Sequence, residues 1–122
     1  MRLGLTAGAT LAVALAVGCA RPVDPREAEL TVRRFFEALP AGDCAVLQPM
    51  LANAANEAEC RSIVDEMNTH GVRLLAVKGS QIDGRDKRAV IVTADMEHQG
   101  ERRKEPMLIR VESHGGTWRI RL

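Results

Sequence analysis

Glu105-Pro-Met-Leu-Ile-Arg-Val-Glu-Ser-His-Gly-Gly-Thr-Trp-Arg-Ile-Arg-Leu122 is the stretch that determines the fold class. Its apolar residues alternate with polar ones, a period of two that is typical of strands with one buried face. His114-Gly-Gly116 divides it into two predicted strands, Glu105–Ser113 and Thr117–Leu122. Because the turn between them is short, the two strands are predicted to form an antiparallel hairpin.

Two further strands are predicted just before this hairpin, Val72–Gln81 and Lys87–Glu97. Asp83-Gly-Arg-Asp86 separates them, and His98-Gln-Gly100 follows the second; both are sequences typical of turns. Ala89-Val-Ile-Val-Thr-Ala94 is apolar on both faces, as expected of a central strand that is covered on both sides. Residues 72–122 therefore predict a four-stranded antiparallel meander.

The residues before this region have helical spacing. Asp24 is a suitable N-cap and Pro25 a suitable first residue for a helix that runs to about Leu39. Its apolar residues, three and four positions apart, are Ala28, Val32, Phe35, Phe36 and Leu39.

Two shorter helices are predicted to follow. Asp43 caps the second helix, which Pro49 is expected to bend or split. Asn56 and Glu59 resemble a capping box for the third helix. Helices followed by an antiparallel meander make the predicted class α+β, with N-terminal helices on a curved four-stranded sheet.

The beginning of the chain resembles a bacterial lipoprotein signal. Arg2 precedes the apolar core Leu11–Val17, whose length is that of a signal-peptide core. Ala16-Val-Gly-Cys19 is similar to the lipobox, in which small residues precede an obligatory cysteine. The resemblance implies cleavage before Cys19 and attachment of lipid, with palmitate among the acyl chains, to that residue. An ordinary signal peptide and an uncleaved anchor are the alternatives.

These features predict the organisation of the chain. Residues 1–18 are expected to be the signal peptide, 19–24 the lipidated cysteine with a short tether, and 25–122 one domain. The protein is then expected on the cell membrane or outer membrane, anchored by lipid and facing the periplasm or the exterior. Without Arg2 the chain has 16 basic and 16 acidic residues, which argues against nucleic acid as a partner.

The three cysteines fit the same interpretation. If Cys19 carries lipid, Cys44 and Cys60 remain as a pair in a compartment where disulfides persist. A zinc site that includes His70 is the competing interpretation, but the close ligand pairs of zinc sites are missing from the sequence. A Cys44–Cys60 disulfide and no metal are therefore predicted.

Several segments together resemble the nuclear transport factor 2-like (cystatin-like) superfamily, and in particular its small bacterial lipoproteins of unknown function. They are Phe35-Phe-Glu-Ala-Leu39, Ala41-Gly-Asp43, Lys87-Arg-Ala-Val-Ile-Val92 and Gly116-Thr-Trp-Arg-Ile120. The resemblance covers nearly all of residues 25–122 and implies a curved sheet wrapped around the first helix as a cone with a pocket. A generic helix-plus-meander domain is the alternative. The candidate pocket-lining residues are Val32, Phe36, Leu39, Val92, Ile109 and Trp118.

Candidate catalytic groups are scarce. Enzymes of this superfamily use a carboxylate base with a hydrogen-bond donor, often Tyr, and the chain has no Tyr. Asp95 is the one carboxylate expected to be able to point into a cavity. The sequence thus predicts a non-catalytic module, without cofactor, that binds an envelope protein or a small apolar ligand. A small hydrolase or isomerase using the same pocket is the alternative.

Overall fold

The structure, a computed structural model, describes residues 23–122. Three α-helices come first and five strands follow, which confirms the α+β class. The helices are α1 (Pro25–Ala38), α2 (Cys44–Leu47) and α3 (Glu57–Thr69). The strands are β1 (Arg73–Ile82), β2 (Ala89–His98), β3 (Glu101–Arg102), β4 (Met107–His114) and β5 (Thr117–Arg121). The 3-10 turns Leu39–Ala41 and Gln48–Met50 follow α1 and α2.

The four long strands form an antiparallel sheet in the order β1-β2-β4-β5, as a meander requires. The short strand β3 was not predicted; it pairs with the end of β2 through Glu97 and His98. Gln99 and Gly100, at φ 54° and 80°, make the tight turn that brings β3 back against β2. The sheet therefore has the four predicted strands and one additional two-residue strand.

Helix α1 is the element around which the sheet curves. The Asp24 carboxylate accepts a hydrogen bond from the Arg26 N–H at 3.0 Å, as predicted for the N-cap. The buried face of α1 contacts β1, β2, β4 and β5. Two register shifts in β1, at Leu74/Ala76 and Val77/Gly79, are bulges, which bend a strand and increase its twist.

Helices α2 and α3 are joined by a disulfide. Pro49 lies in the 3-10 turn after α2, so the second helical segment is split as expected. The Asn56 carboxamide caps α3 by accepting the Glu59 N–H at 2.9 Å. The predicted Cys44–Cys60 pairing is confirmed, with a Cα–Cα distance of 6.1 Å.

The segment after α2 covers the outer edge of β5. Leu51 pairs with Ile120 as an isolated bridge, and the Ala52 N–H donates to the Ile120 carbonyl at 2.7 Å. The Asn53 side chain donates to the Leu122 carbonyl at 2.7 Å and accepts the Leu122 N–H at 3.2 Å. These contacts hold residue 122 against the end of the sheet.

The predicted signal peptide, the lipid on Cys19 and most of the tether fall on residues 1–22, outside the described residues. Within residues 23–122, no helix combines the length and apolar character needed to cross a bilayer.

Candidate functional site

The six predicted pocket-lining residues meet in one hydrophobic core between α1 and the sheet. Val32, Phe36, Leu39, Val92 and Ile109 are buried there. The sixth, Trp118, is half-buried at the margin of this core, and its indole N–H donates to the Glu27 carboxylate at 2.9 Å.

Phe36 alone among these six also lines an open groove, of about 570 Å³, between the end of α1 and the beginning of β1. Charged residues, including Arg33, Glu37 and Arg73, contribute to its wall. The groove thus has a wall in which charged and apolar side chains are mixed.

A second cavity, of about 340 Å³, lies where α3 faces the ends of β2 and β4. Its apolar lining is Ile63, Met67, Val72, Met96, Met107 and Leu122. Its polar lining is Asn53, Glu66, Glu97, His98 and Arg103. Its volume falls in the usual range of small-molecule sites, and an apolar wall with a few polar groups is their usual character.

The strand register explains why these side chains share one cavity. Met107 is opposite Ala94, and Met96 follows Ala94 by two residues on the same face of β2. Ile63 and Met67 are four residues apart on α3, so both lie on the helix side that faces the strands. The cavity thus extends the hydrophobic core at the end of the sheet that faces α3.

Two histidines stack at the rim of this cavity. The rings of His70, at the C-terminus of α3, and His98, at the end of β2, have centroids 5.6 Å apart and planes 10° apart. The His70 carbonyl accepts the Gln99 N–H at 3.0 Å. The Nδ1 atom of His70 is buried and has no hydrogen-bond partner among residues 23–122. The sequence placed His98 in a turn and gave no sign that its ring stacks on that of His70.

Asp95 lies on the opposite face of β2 from the cavity. Its carboxylate is 2.6 Å from the Arg102 guanidinium and 3.8 Å from the Lys78 ammonium. Asp95 shares its face of β2 with Ile91 and Thr93, whereas Met96 of the cavity lies on the other face. The one carboxylate that the sequence marked as a catalytic candidate is therefore held in ion pairs on the outer side of the sheet.

The outer face of the sheet also carries a dense ion-pair network around Glu112, whose carboxylate is largely buried. It accepts hydrogen bonds from Arg121 at 2.6 and 2.9 Å and from Arg110 at 2.9 Å, and His114 Nε2 lies 3.0 Å away. Hydrogen bonds from Arg121 first, and then from Arg110 and His114, hold the pKa of the Glu112 carboxyl far below its ordinary value near 4.5. Burial opposes this shift.

Arg110 extends the network to the β1–β2 turn. Its guanidinium binds the carboxylate of Asp83 and, at 3.1 Å, that of Asp86. The Arg85 N–H, followed by the Arg110 guanidinium, lowers the pKa of the Asp83 carboxyl. These carboxyls therefore hold the turn and the outer face of the sheet together, on the side away from the cavity.

Among residues 23–122, no three His, Cys, Asp or Glu side chains are placed to hold a metal ion. No protein-family model and no curated protein matches the chain. A solved structure that is similar is a de novo designed protein with a curved β-sheet, at 21% identity and a TM-score of 0.50. The match covers 78% of this chain and 97% of the designed one. It shows the fold alone: α+β, with helices packed on a curved antiparallel sheet.

Proposed function

We propose that this chain is an exported lipoprotein whose domain binds a small apolar ligand in the 340 Å³ cavity and carries out no reaction on it. The observation that carries the proposal is the cavity itself, in which six apolar side chains form the wall. The strongly perturbed carboxyl, Glu112, lies on the opposite face of the sheet and is occupied by ion pairs. Catalytic groups with shifted pKa values would instead be expected inside the pocket.

The lining favours an adaptable binding site. Three of the six apolar lining residues are methionines, and Met side chains are flexible enough to adjust to ligands of different shape. The polar lining residues could then orient a ligand that has an apolar body and one polar end. The cone-shaped architecture of the nuclear transport factor 2-like superfamily, which we propose for this domain, would open at this end.

The anchor is the second part of the proposal. Cys19 would carry the lipid, and only residues 19–24 would separate it from the first helix. Six residues reach about 20 Å at most, so the start of α1, and with it the domain, would lie close to the membrane surface. A lipid-anchored protein with this cavity is placed to take up or hold apolar molecules of the envelope.

Filling the cavity tests the binding proposal. Ile63 is half-buried on the cavity side of α3, so the larger side chain of Ile63→Trp is expected to occupy the space of the ligand. Affinity for an apolar fluorescent probe is expected to fall by about tenfold or more, equivalent to about 1.4 kcal/mol. The measurement is a probe titration of the parent and variant proteins.

The matched control is Val46→Trp, which adds the same side chain at a position that is 46% exposed on α2. This variant is expected to bind the probe like the parent protein. Circular dichroism would verify that both variants are folded. Equal probe binding by a folded Ile63→Trp variant and the control would rule out the cavity as the binding site.

A further inference from the structure

We propose that the same cavity holds a soft-metal site for Cu(I), formed by the thioether sulfurs of Met67, Met96 and Met107 with the His98 imidazole. These four residues line one space of about 340 Å³. Residues 23–122 contain one other methionine, Met50, which does not line this cavity. The inference does not depend on the proposed binding of an apolar ligand.

The register of the sheet places two of the thioethers side by side, with His98 next along the same face of β2. Met96 and His98 are two residues apart on β2, so they lie on the same face of the strand. Met107 on β4 is opposite Ala94, which makes it the diagonal neighbour of Met96. Diagonal neighbours have Cα atoms about 7–8 Å apart, a separation that long side chains can span.

The fourth group comes from α3, on the other side of the cavity. Met67 precedes His70 by three residues at the end of this helix, so both lie on one side of it. The His70 ring stacks on His98, which places the end of α3 directly against the end of β2. Each of these two elements therefore brings one thioether and one imidazole to the same place. The buried, unpaired Nδ1 of His70 is a second nitrogen beside this group.

The chemistry of these donors selects the metal. Thioether sulfur is a soft ligand that favours Cu(I), and imidazole binds copper well. Zinc sites use thiolate, imidazole and carboxylate, and no three His, Cys, Asp or Glu residues gather for this in the described part of the chain. Of the charged lining residues, Glu66 and Glu97 outnumber Arg103, although Glu97 also pairs with Arg73 at 3.9 Å.

Competition for Cu(I) with bicinchoninate, a coloured chelator, tests the site under anaerobic conditions, with ascorbate to keep the copper as Cu(I) and to leave the Cys44–Cys60 disulfide intact. The full chain is used as the Cys19→Ser variant, because an unlipidated Cys19 thiol would itself bind Cu(I). The parent in this background is expected to take up one Cu(I) per chain. Met96→Leu and Met107→Leu each remove one sulfur atom and keep nearly the same side-chain volume. Each is expected to weaken Cu(I) binding by about tenfold or more, the loss typical of disturbed metal sites.

Met50→Leu is the matched control and is expected to leave Cu(I) affinity unchanged. With Ag(I) as a redox-inert substitute, the methyl NMR signals of Met67, Met96 and Met107 are expected to shift and that of Met50 to stay. Failure to compete with the chelator, or equal Cu(I) affinity in the Met96→Leu, Met107→Leu and parent proteins, would overturn the metal site. The leucine variants keep the apolar wall and are expected to bind the apolar probe like the parent protein. Failure of the metal site would leave this probe binding intact, whereas failure of the proposed function would show as absent probe binding in the parent protein itself.

Discussion

Replacing Glu112 by Gln is expected to lower the free energy of unfolding by about 2 kcal/mol at neutral pH, within the range for hydrogen bonds to charged groups. Glu112 is 9% exposed, and its carboxylate is bound by Arg121, Arg110 and His114. Gln cannot supply the charge that these groups face, so two guanidinium groups lose a closely placed carboxylate. Urea unfolding of the variant and parent proteins measures the difference.

The same residue sets an acid dependence. The folded-state pKa of Glu112 lies below its ordinary value near 4.5, so the ionised carboxylate stabilises the folded protein fully above that value. As the pH falls below 4.5, Glu112 is protonated in the unfolded chain before it is protonated in the folded protein. The stabilisation that the ionised carboxylate gives the folded protein is therefore lost progressively as the pH approaches the lowered folded-state pKa. The stability difference between the parent and Glu112→Gln is therefore expected to narrow steadily as the pH is lowered below about 5.

Glu57→Gln is the control for this experiment. Glu57 pairs with Arg61 at 2.9 Å, but both side chains are more than half exposed, and such pairs contribute less than about 1 kcal/mol. A small, nearly pH-independent effect is expected for this variant. If Glu112→Gln and Glu57→Gln had equal effects, the network on the outer face would not contribute to stability as described.

Reduction of the Cys44–Cys60 disulfide is the second change with a large expected effect. The bond closes a loop between residues 16 positions apart, for which chain-entropy estimates give about 3 kcal/mol. For a domain of this size that corresponds to a melting temperature lower by about 15 °C. Calorimetry with and without reductant measures the change.

Burial of both cysteines sharpens the prediction. Cys60 is fully buried and Cys44 is 4% exposed, so reduction of the folded protein should be slow unless denaturant is added. The double variant Cys44→Ala/Cys60→Ala is expected to melt at a lower temperature than the oxidised parent and to be insensitive to reductant. Rapid alkylation of both thiols in the native exported protein would show that the bond is absent.

Local signals in the sequence were sufficient for the order of the helices and of the long strands. Asp24, Asp43 and Asn56 were predicted to begin the three helices, and each side chain accepts a backbone N–H there. Because each cap joins residues only two or three positions apart, it can be predicted from neighbouring residues in the sequence. The two-residue strand β3 lacks such a signal, because it depends on the φ values of Gln99 and Gly100.

The position of the cavity could not be predicted in the same way. The alternation of apolar and polar residues shows that Ile109 and Met107 point to the same face of β4. It does not show which of them is covered by a helix and which borders a cavity. The structure puts Ile109 in the closed core beneath α1 and Met107 in the cavity beside α3. That difference depends on where each helix ends against the curved sheet, which is a tertiary property.

Long-range ion pairs were missed for a related reason. Asp83 and Asp86 were explained by turn chemistry, and their carboxylates do accept local N–H groups, those of Arg85 and Arg88. The same carboxylates also bind Arg110, which is 27 and 24 residues away in the chain. Only the pairing of β2 with β4 brings Arg110 to this turn, and sequence spacing does not contain that register.

Native mass spectrometry of the protein extracted from its own membrane tests the central claim most directly, that this is a lipid-anchored protein with a small apolar molecule in its cavity. The predicted result is a chain that begins at Cys19, carries lipid there, and retains a small molecule that the Ile63→Trp variant lacks. An unmodified Cys19 thiol would contradict the anchor. A lipidated parent protein with no bound molecule, or a molecule that Ile63→Trp retains equally, would contradict binding in the cavity.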